Sequence, residues 1–377
     1  MMTTDLWFWR SSWRALLASV FAASLLVLPV GARAQVSERA SVLDVSSRLT
    51  ELTRRLNAKP LDAGALEEAR VFGIELLDAS RFNEAERVFA AFRLAAPEDP
   101  SGFYGGALAL FNLHRVNEAE TLARAAVEKT QAFSTSRKAP DREAANSPKT
   151  FGNAADAFVL LGVILAVKGD DAGALAAVTR AVKLAPENFD AQFALGRALY
   201  GAGDPASAAS AFRAAIALKP ADARTRFFLA SSLERAGDDA KALAGYKELI
   251  AVAPGAAEGH LGAGVLLVKR AGDDLNEGIR ELEKALAINE GLYEGQVALG
   301  RALIRTGRVA ESLTPLKRAA ELAPDNPEPH YQLAIAYRRL GQKEAADAEG
   351  AVVKKIHAAR RVSSLTSSDE ATPRSRP

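Results

Sequence analysis

The sequence predicts an all-α chain of tandem helix–turn–helix units, stacked one on the next as an α-solenoid. Three observations point there: small residues recur at a near-constant interval, a glycine marks each turn, and a proline closes most units. The small residue after an apolar one stands at Gly162, Gly196, Ala230, Gly264, Gly300 and Ala334, at intervals of 34, 34, 34, 36 and 34. An internal period of this length marks a repeat architecture. A second small residue follows at Ala174, Ala208, Ala242, Gly278, Ser312 and Ala346. Three positions after the first small residue there is always a large one: Leu165, Leu199, Leu233, Leu267, Leu303 and Tyr337.

Two antiparallel helices joined by a tight turn approach closely only where both present small side chains. The large residue fills the space beside that contact. Gly169, Gly203, Gly237, Gly272, Gly307 and Gly341 suit helix C-termini in the left-handed conformation. Asp170, Asp204, Asp238 and Asp273 follow, each placed to cap the next helix. Pro186, Pro220, Pro254 and Pro324 close units. Pro315 falls inside a second helix and is expected to kink it or delay its start. Weaker copies surround Gly73, Ala85, Phe89 and Pro97, and then Ala107, Ala119 and Ala126. About eight units result, starting near residues 66, 100, 155, 189, 223, 257, 293 and 327.

Residues 1–34 have the three-part layout of a secretory signal. Arg10 and Arg14 precede a 16-residue apolar run from Ala15 to Val30, and Ala32-Arg33-Ala34 offers a cleavage site. The run is short of the roughly 20 residues a membrane-crossing helix needs. Cleavage after Ala34 is therefore expected, with an uncleaved anchor as the rival reading. The mature chain would be periplasmic or secreted, start at Gln35, and carry 45 basic and 45 acidic side chains without cysteine. A net charge of zero favours neither nucleic acid nor anionic membrane. Without disulfides, packing alone holds such a chain together.

Residues 35–65 contain a helix whose Val42, Val45, Leu49, Leu52 and Leu56 form a heptad-like stripe. It reads as a cap on the first unit, with self-association through residues 38–57 as the alternative. Units one and two fill residues 66–133. Residues 134–154 are a polar insertion, read as disordered in preference to functional, and a candidate divide between a two-unit and a six-unit block. Units three to eight fill residues 155–361. The tail, 362–377, is rich in Ser, Thr, Arg and Pro and is expected to be disordered. Before it, Lys354, Lys355, His357, Arg360 and Arg361 form a basic helix end suited to the helix dipole.

This pattern resembles the tetratricopeptide repeat, a 34-residue helix–turn–helix unit. The resemblance covers most of the chain beyond residue 34. It implies a right-handed solenoid whose first helices line a concave groove for a protein or extended peptide, with positions 2, 5, 9, 12 and 13 of each unit facing inward. Carried over, these positions supply Phe193, Arg197 and Tyr200, then Phe227 and Arg235 in the next unit. Further along they supply Leu261 and Val265, Arg301 and Arg305, and finally Tyr331 and Arg338. An apolar floor flanked by guanidinium groups suits a peptide with hydrophobic and acidic side chains. The competing reading packs the apolar residues between units and leaves the arginines solvated. The fourth position, usually aromatic in the family, is so only at Phe103 and Phe158. Elsewhere it is Gln192, Arg226, His260, Gln296 or His330. The Lys and Asn with which some members grip a terminal carboxylate are replaced by Val159 and Val163, then by Phe193 and Arg197, so no such clamp is expected.

The sequence lacks the parts of an enzyme. Its four histidines have no His-Glu-x-x-His spacing, and there is no Gly-x-Ser-x-Gly elbow, no phosphate-cradling Gly-Lys loop and no cysteine. No catalytic residue, metal ligand or cofactor is expected, and His260 and His330 read as structural. The expected role is an exported scaffold for a protein partner in envelope or export assembly. The alternative is an accessory or regulatory subunit that brings substrate to a separate enzyme, such as a glycosyltransferase or polysaccharide synthase.

Overall fold

The computed structural model describes residues 42–58, 62–136, 151–270 and 274–369. The expected signal segment, the middle of the insertion, Gly272, Asp273 and the last residues of the tail lie outside them. The described residues form 17 α-helices and no strand. They comprise one leading helix and eight consecutive helix pairs, divided into two compact units that meet in sequence at Pro220 and Ala221.

The first unit opens with α1 (Val42–Leu56), which packs on α2 (Ala63–Asp78) and α3 (Phe82–Ala95). Val45, Leu52 and Leu56 are buried in the core there. Three of the five stripe residues are thus covered by their own chain, as a cap on the first pairs requires. Next come the pairs α4 (Pro100–Asn112) with α5 (Val116–Ser136), α6 (Ala154–Lys168) with α7 (Asp171–Leu184), and α8 (Phe189–Gly201) with α9 (Pro205–Leu218). Because α5 packs directly on α6, the insertion interrupts the sequence without dividing the stack. The polar segment also contributes to the core at its end. Phe151 lies edge-on to Tyr104, with ring centroids 5.1 Å apart, and stacks on Phe89 at 5.9 Å.

The second unit contains α10 (Ala223–Arg235) with α11 (Asp239–Val252), α12 (Ala257–Arg270) with α13 (Leu275–Ile288), α14 (Tyr293–Arg305) with α15 (Val309–Leu322), and α16 (Pro327–Arg339) with α17 (Lys343–Asp369). The last helix runs 27 residues. Residues 362–369 are therefore helical rather than disordered, since no Gly or Pro stands between Gly350 and Pro373 to stop it. Helix α15 starts at Val309 and continues through Pro315, so the proline forfeits one backbone donor without delaying the helix.

Helix contact depends on the small residues, as the periodicity predicts. A Cβ on Gly300 would lie 2.4 Å from Leu316, and one on Gly264 would lie 3.0 Å from the Leu282 nitrogen and 3.1 Å from the Gly278 carbonyl. Caps set the helix starts. Asp170, Asp204 and Asp238 accept from the amides of Gly173, Ser207 and Lys241 at 2.9, 3.0 and 3.2 Å. A second series begins the first helices: Asp99, Asn153, Asn188, Asp222 and Asn326 accept from backbone amides at 2.7–3.1 Å. Each cap contributes about 1 kcal/mol. Full burial of a side chain such as Phe212 or Leu282 contributes about 1.5–3 kcal/mol. Capping therefore fixes where helices begin, while burial supplies most of the stability.

The turns between paired helices require left-handed backbone. Glycine meets this at Gly169, Gly203, Gly237, Gly307 and Gly341, with φ between 75° and 85°. In the first two pairs the same place falls to Ser80 (φ 59°) and His114 (φ 60°), where a side chain strains the turn. Replacing either with glycine relieves that strain and is expected to stabilise the chain by roughly 0.5–1 kcal/mol. Urea denaturation followed by circular dichroism measures it; an unchanged or lower midpoint contradicts the strain.

Candidate partner-binding surface

Within each compact unit, the first helices of neighbouring pairs lie against one another: α6 with α8 in one, and α10, α12, α14 and α16 in succession in the other. Their shared face carries the residues at positions 2, 5, 9, 12 and 13. The two units treat these positions differently.

In the first unit the expected groove residues are closed off. Phe193, Arg197 and Tyr200 are 4%, 8% and 5% exposed. The Phe193 ring stacks on Phe189 at 6.0 Å and meets Phe212 at 5.8 Å, so it acts as packing. The expectation that these three residues stand open to a partner is corrected: side-chain burial removes them from the accessible surface.

The same face of the first unit holds a carboxylate that sequence reading missed. Asp156, in the first turn of α6, accepts from Asn188 Nδ2 at 3.1 Å. Burial pushes its carboxyl up to about 7, the neighbouring charge of Asp190 adds to that, and the Asn188 bond partly opposes it. The buried Tyr104 phenol is pushed up as well, first by burial and then by Asp156 and Asp190. Nothing in the periodicity marks Asp156, because its shift arises from the helices packed around it.

In the second unit the face is more open. Tyr331 is 56% exposed, and Arg235, Arg301, Arg305 and Arg338 are exposed too. Phe227 is half-buried, edge-on to Phe228 at 5.4 Å and tilted against Tyr246 at 6.4 Å. Glu234 accepts from the Tyr246 hydroxyl at 2.8 Å. Its carboxyl and that of Glu294 are both raised, chiefly by desolvation; Glu234 adds to the shift at Glu294.

Position 13 joins repeats. Arg305 Nη1 donates to the Val268 carbonyl at 2.8 Å, and Arg339 Nη1 donates to the Ile304 carbonyl at 2.9 Å. Each guanidinium reaches a carbonyl in the last turn of the preceding first helix, and the Ile304 carbonyl also accepts from the Gly307 amide at 3.3 Å. Lys269, the equivalent residue one repeat earlier, donates to Asp239 at 2.7 Å. Arg305 is thus a tie between repeats as well as an exposed cation, a role the sequence did not disclose.

Position 4 anchors the loops. Gln192 Nε2 and Gln296 Nε2 donate to the carbonyls of Pro186 and Glu290 at 2.9 and 3.0 Å, and His260 Nε2 lies 3.0 Å from the Pro254 carbonyl. Each reaches back six residues to the loop entering its helix. Arg226, His260 and His330 also reach Glu248, Glu281 and Glu349 on the second helix of their own pair at 2.8, 2.6 and 2.6 Å. Both histidines are structural, as their repeat position suggested. Among the described residues, no group of three His, Cys, Asp or Glu side chains could hold a metal ion, and no helix is long and apolar enough to cross a membrane.

Stacked helix pairs that present their first helices on a common face define a helical-repeat protein, an α-solenoid. The family comparison agrees. A tetratricopeptide-repeat model matches residues 71–136, 142–189 and 193–257, and a second TPR model matches residues 300–341. Together these span more than half of the sequence, and the chain belongs to the tetratricopeptide-repeat family.

Among solved structures, the C-terminal part of a TPR repeat-containing protein from Cytophaga hutchinsonii matches with a TM-score of 0.51 and 17% identity, over 70% of this chain and 99% of that one. YrrB, described as a TPR protein with an unusual peptide-binding site, matches at 0.44 and 21%, over 55% and 95%. PilW, described as a type IV pilus biogenesis factor, matches at 0.47 and 18%, over 53% and 92%. At these identities the likeness concerns the fold. No curated protein matches the sequence.

Asp156 gives the first unit a pH signature. Its folded-state pKa of about 7 lies above the usual value near 4, so its stabilising contribution is complete below about pH 4 and is lost as pH rises through 7. Asp156→Asn removes that titration. The variant is expected to gain stability relative to wild type between pH 5 and pH 8, read from urea midpoints at the two values. A constant difference across that range would exclude the shift.

Proposed function

We propose that the chain is an exported scaffold that holds a protein partner against the first-helix face of residues 221–377. Its proposed setting is envelope or export assembly. The observation that carries the reading is the exposure of Tyr331, with Arg338 two turns further along the same helix and Arg301 on the neighbouring one. Aromatic and guanidinium groups dominate the energetics of protein interfaces. Here they stand open on helices whose remaining sides are packed. Half-buried Phe227 and exposed Arg235 and Arg305 extend the same chemistry to other repeats. Tetratricopeptide repeats are typically protein-interaction scaffolds, which supports a binding role.

Export rests on Arg10, Arg14, the apolar run from Ala15 to Val30 and the small residues before Gln35. N-terminal sequencing of the protein recovered from the envelope fraction is expected to start at Gln35. A chain retained in the membrane and starting at Met1 contradicts cleavage and favours the anchor.

Partner capture from envelope extract tests the face itself. A variant carrying Phe227→Ala, Arg301→Ala, Tyr331→Ala and Arg338→Ala is expected to lose a wild-type partner by roughly tenfold or more, with helical circular dichroism unchanged. Equal capture by both proteins sinks the assignment of this face.

A further inference from the structure

The face of α12, α14 and α16 repeats one order along each helix. A glutamate stands in the first turn: Glu258, Glu294 or Glu328. Basic residues occupy the last turn: Lys269 and Arg270, Arg305, or Arg338 and Arg339. Between these ends lie half-buried Leu261 and Val265 on α12 and exposed Tyr331 and half-buried Ile335 on α16, while on α14 Val297 is buried and exposed Arg301 stands midway. Positions 2 and 13 are eleven residues apart, about 16 Å at 1.5 Å per residue. Three helices side by side therefore present a strip with an acidic edge and a basic edge, apolar at α12 and α16 and carrying Arg301 at its centre. Helix α10 keeps the basic end with Arg235 but carries Arg224 near its start, where the others have glutamate, so the two-edged pattern spans three repeats.

Helix dipoles favour acids at N-termini and bases at C-termini anywhere in the fold. That preference does not account for the basic edge. The second helices α11, α13 and α15 carry no basic residue in their last turns. The cations are concentrated on the first-helix face. Arg305 and Arg339 each use one donor on a backbone carbonyl, out of the five a guanidinium has.

We propose that this face seats an amphipathic α-helix of the partner, lying across α12, α14 and α16, with its apolar stripe on the strip, cationic side chains along its acidic edge and carboxylates along its basic edge. This rests on the reading that the partner sits on this face. The charge order selects a helix over an extended strand. Side chains of a strand alternate between two directions, so a strand that points its apolar residues down has none left for both edges. A helix has two flanks beside an apolar stripe, and its diameter of about 10–12 Å fits a strip about 16 Å wide. The two edges also fix the direction in which that helix lies. The raised carboxyl of Glu294 agrees, since a cation from the partner would restore the charged form that desolvation disfavours.

The test uses the purified full-length chain and labelled synthetic helices of about 18 residues, read by fluorescence anisotropy at low salt. One peptide carries Lys along one flank of its apolar stripe and Glu along the other. A second, of identical composition and helicity, mixes both charges on both flanks, and a third has Glu on both flanks. The segregated peptide is expected to bind roughly tenfold tighter than the mixed one, with the advantage shrinking at 0.3 M salt. In a Glu258→Lys, Glu294→Lys, Glu328→Lys variant, the preference is expected to move to the peptide with Glu on both flanks. Equal affinities, including no binding by any peptide, overturn the proposal, as does a preference that the triple variant leaves in place. If partner capture still depends on Phe227, Arg301, Tyr331 and Arg338, the face keeps its role and only the helical, charge-ordered occupant is lost.

Discussion

Close approach between two helices is the constraint on which the remaining structure rests. Gly264 lies so near the Gly278 carbonyl and the Leu282 nitrogen that an added methyl would press on backbone, and Gly300 lies similarly near Leu316. Such contacts fix the rotation of each first helix about its axis. Once rotation is fixed, so is the set of positions that share its outer face. The functional surface follows from the packing: because the small residues recur every 34 or so positions, the outward set recurs with them, and side chains line up in rows across neighbouring helices.

Polar side chains then hold what packing has placed. The family's usual aromatic at position 4 would fill space beside the loop. Gln192, His260 and Gln296 instead bond to the loop carbonyls of Pro186, Pro254 and Glu290. One constraint, a loop pinned to the helix it feeds, is met by hydrogen bonding in place of volume. A net hydrogen bond contributes about 1 kcal/mol, and leaving the carbonyl without a partner would cost about as much or more. The substitution is therefore coherent physically, even though it departs from the family pattern.

Much of the fold was legible because it is periodic. Helix pairs, turn glycines and the capping aspartates Asp170, Asp204 and Asp238 all occupy positions the repeat assigns them. Asn188, Asp222 and Asn326 escaped notice, although each stands two residues after a closing proline where a cap belongs. Phe151 went unread because composition marked its segment as polar, while one aromatic sufficed to seat its end in the core. The groove was half legible. Register says that Phe193 and Tyr331 share a position. It cannot say that the first is 4% exposed and the second 56%, because exposure depends on the side chains packed around each, such as Phe189 and Phe212 beside Phe193. The pKa of Asp156 was invisible for the same reason.

The arginine ties have a consequence for how such a chain can change length. Arg305 reaches the carbonyl of Val268, and Arg339 that of Ile304. A repeat joined this way brings its own donor for the neighbour before it and its own acceptor for the neighbour after it. In-frame duplication or loss of a whole unit between them would leave every remaining joint with matching halves. The array could lengthen or shorten by whole repeats without a new interface having to be invented, and a longer or shorter partner could be matched one row at a time.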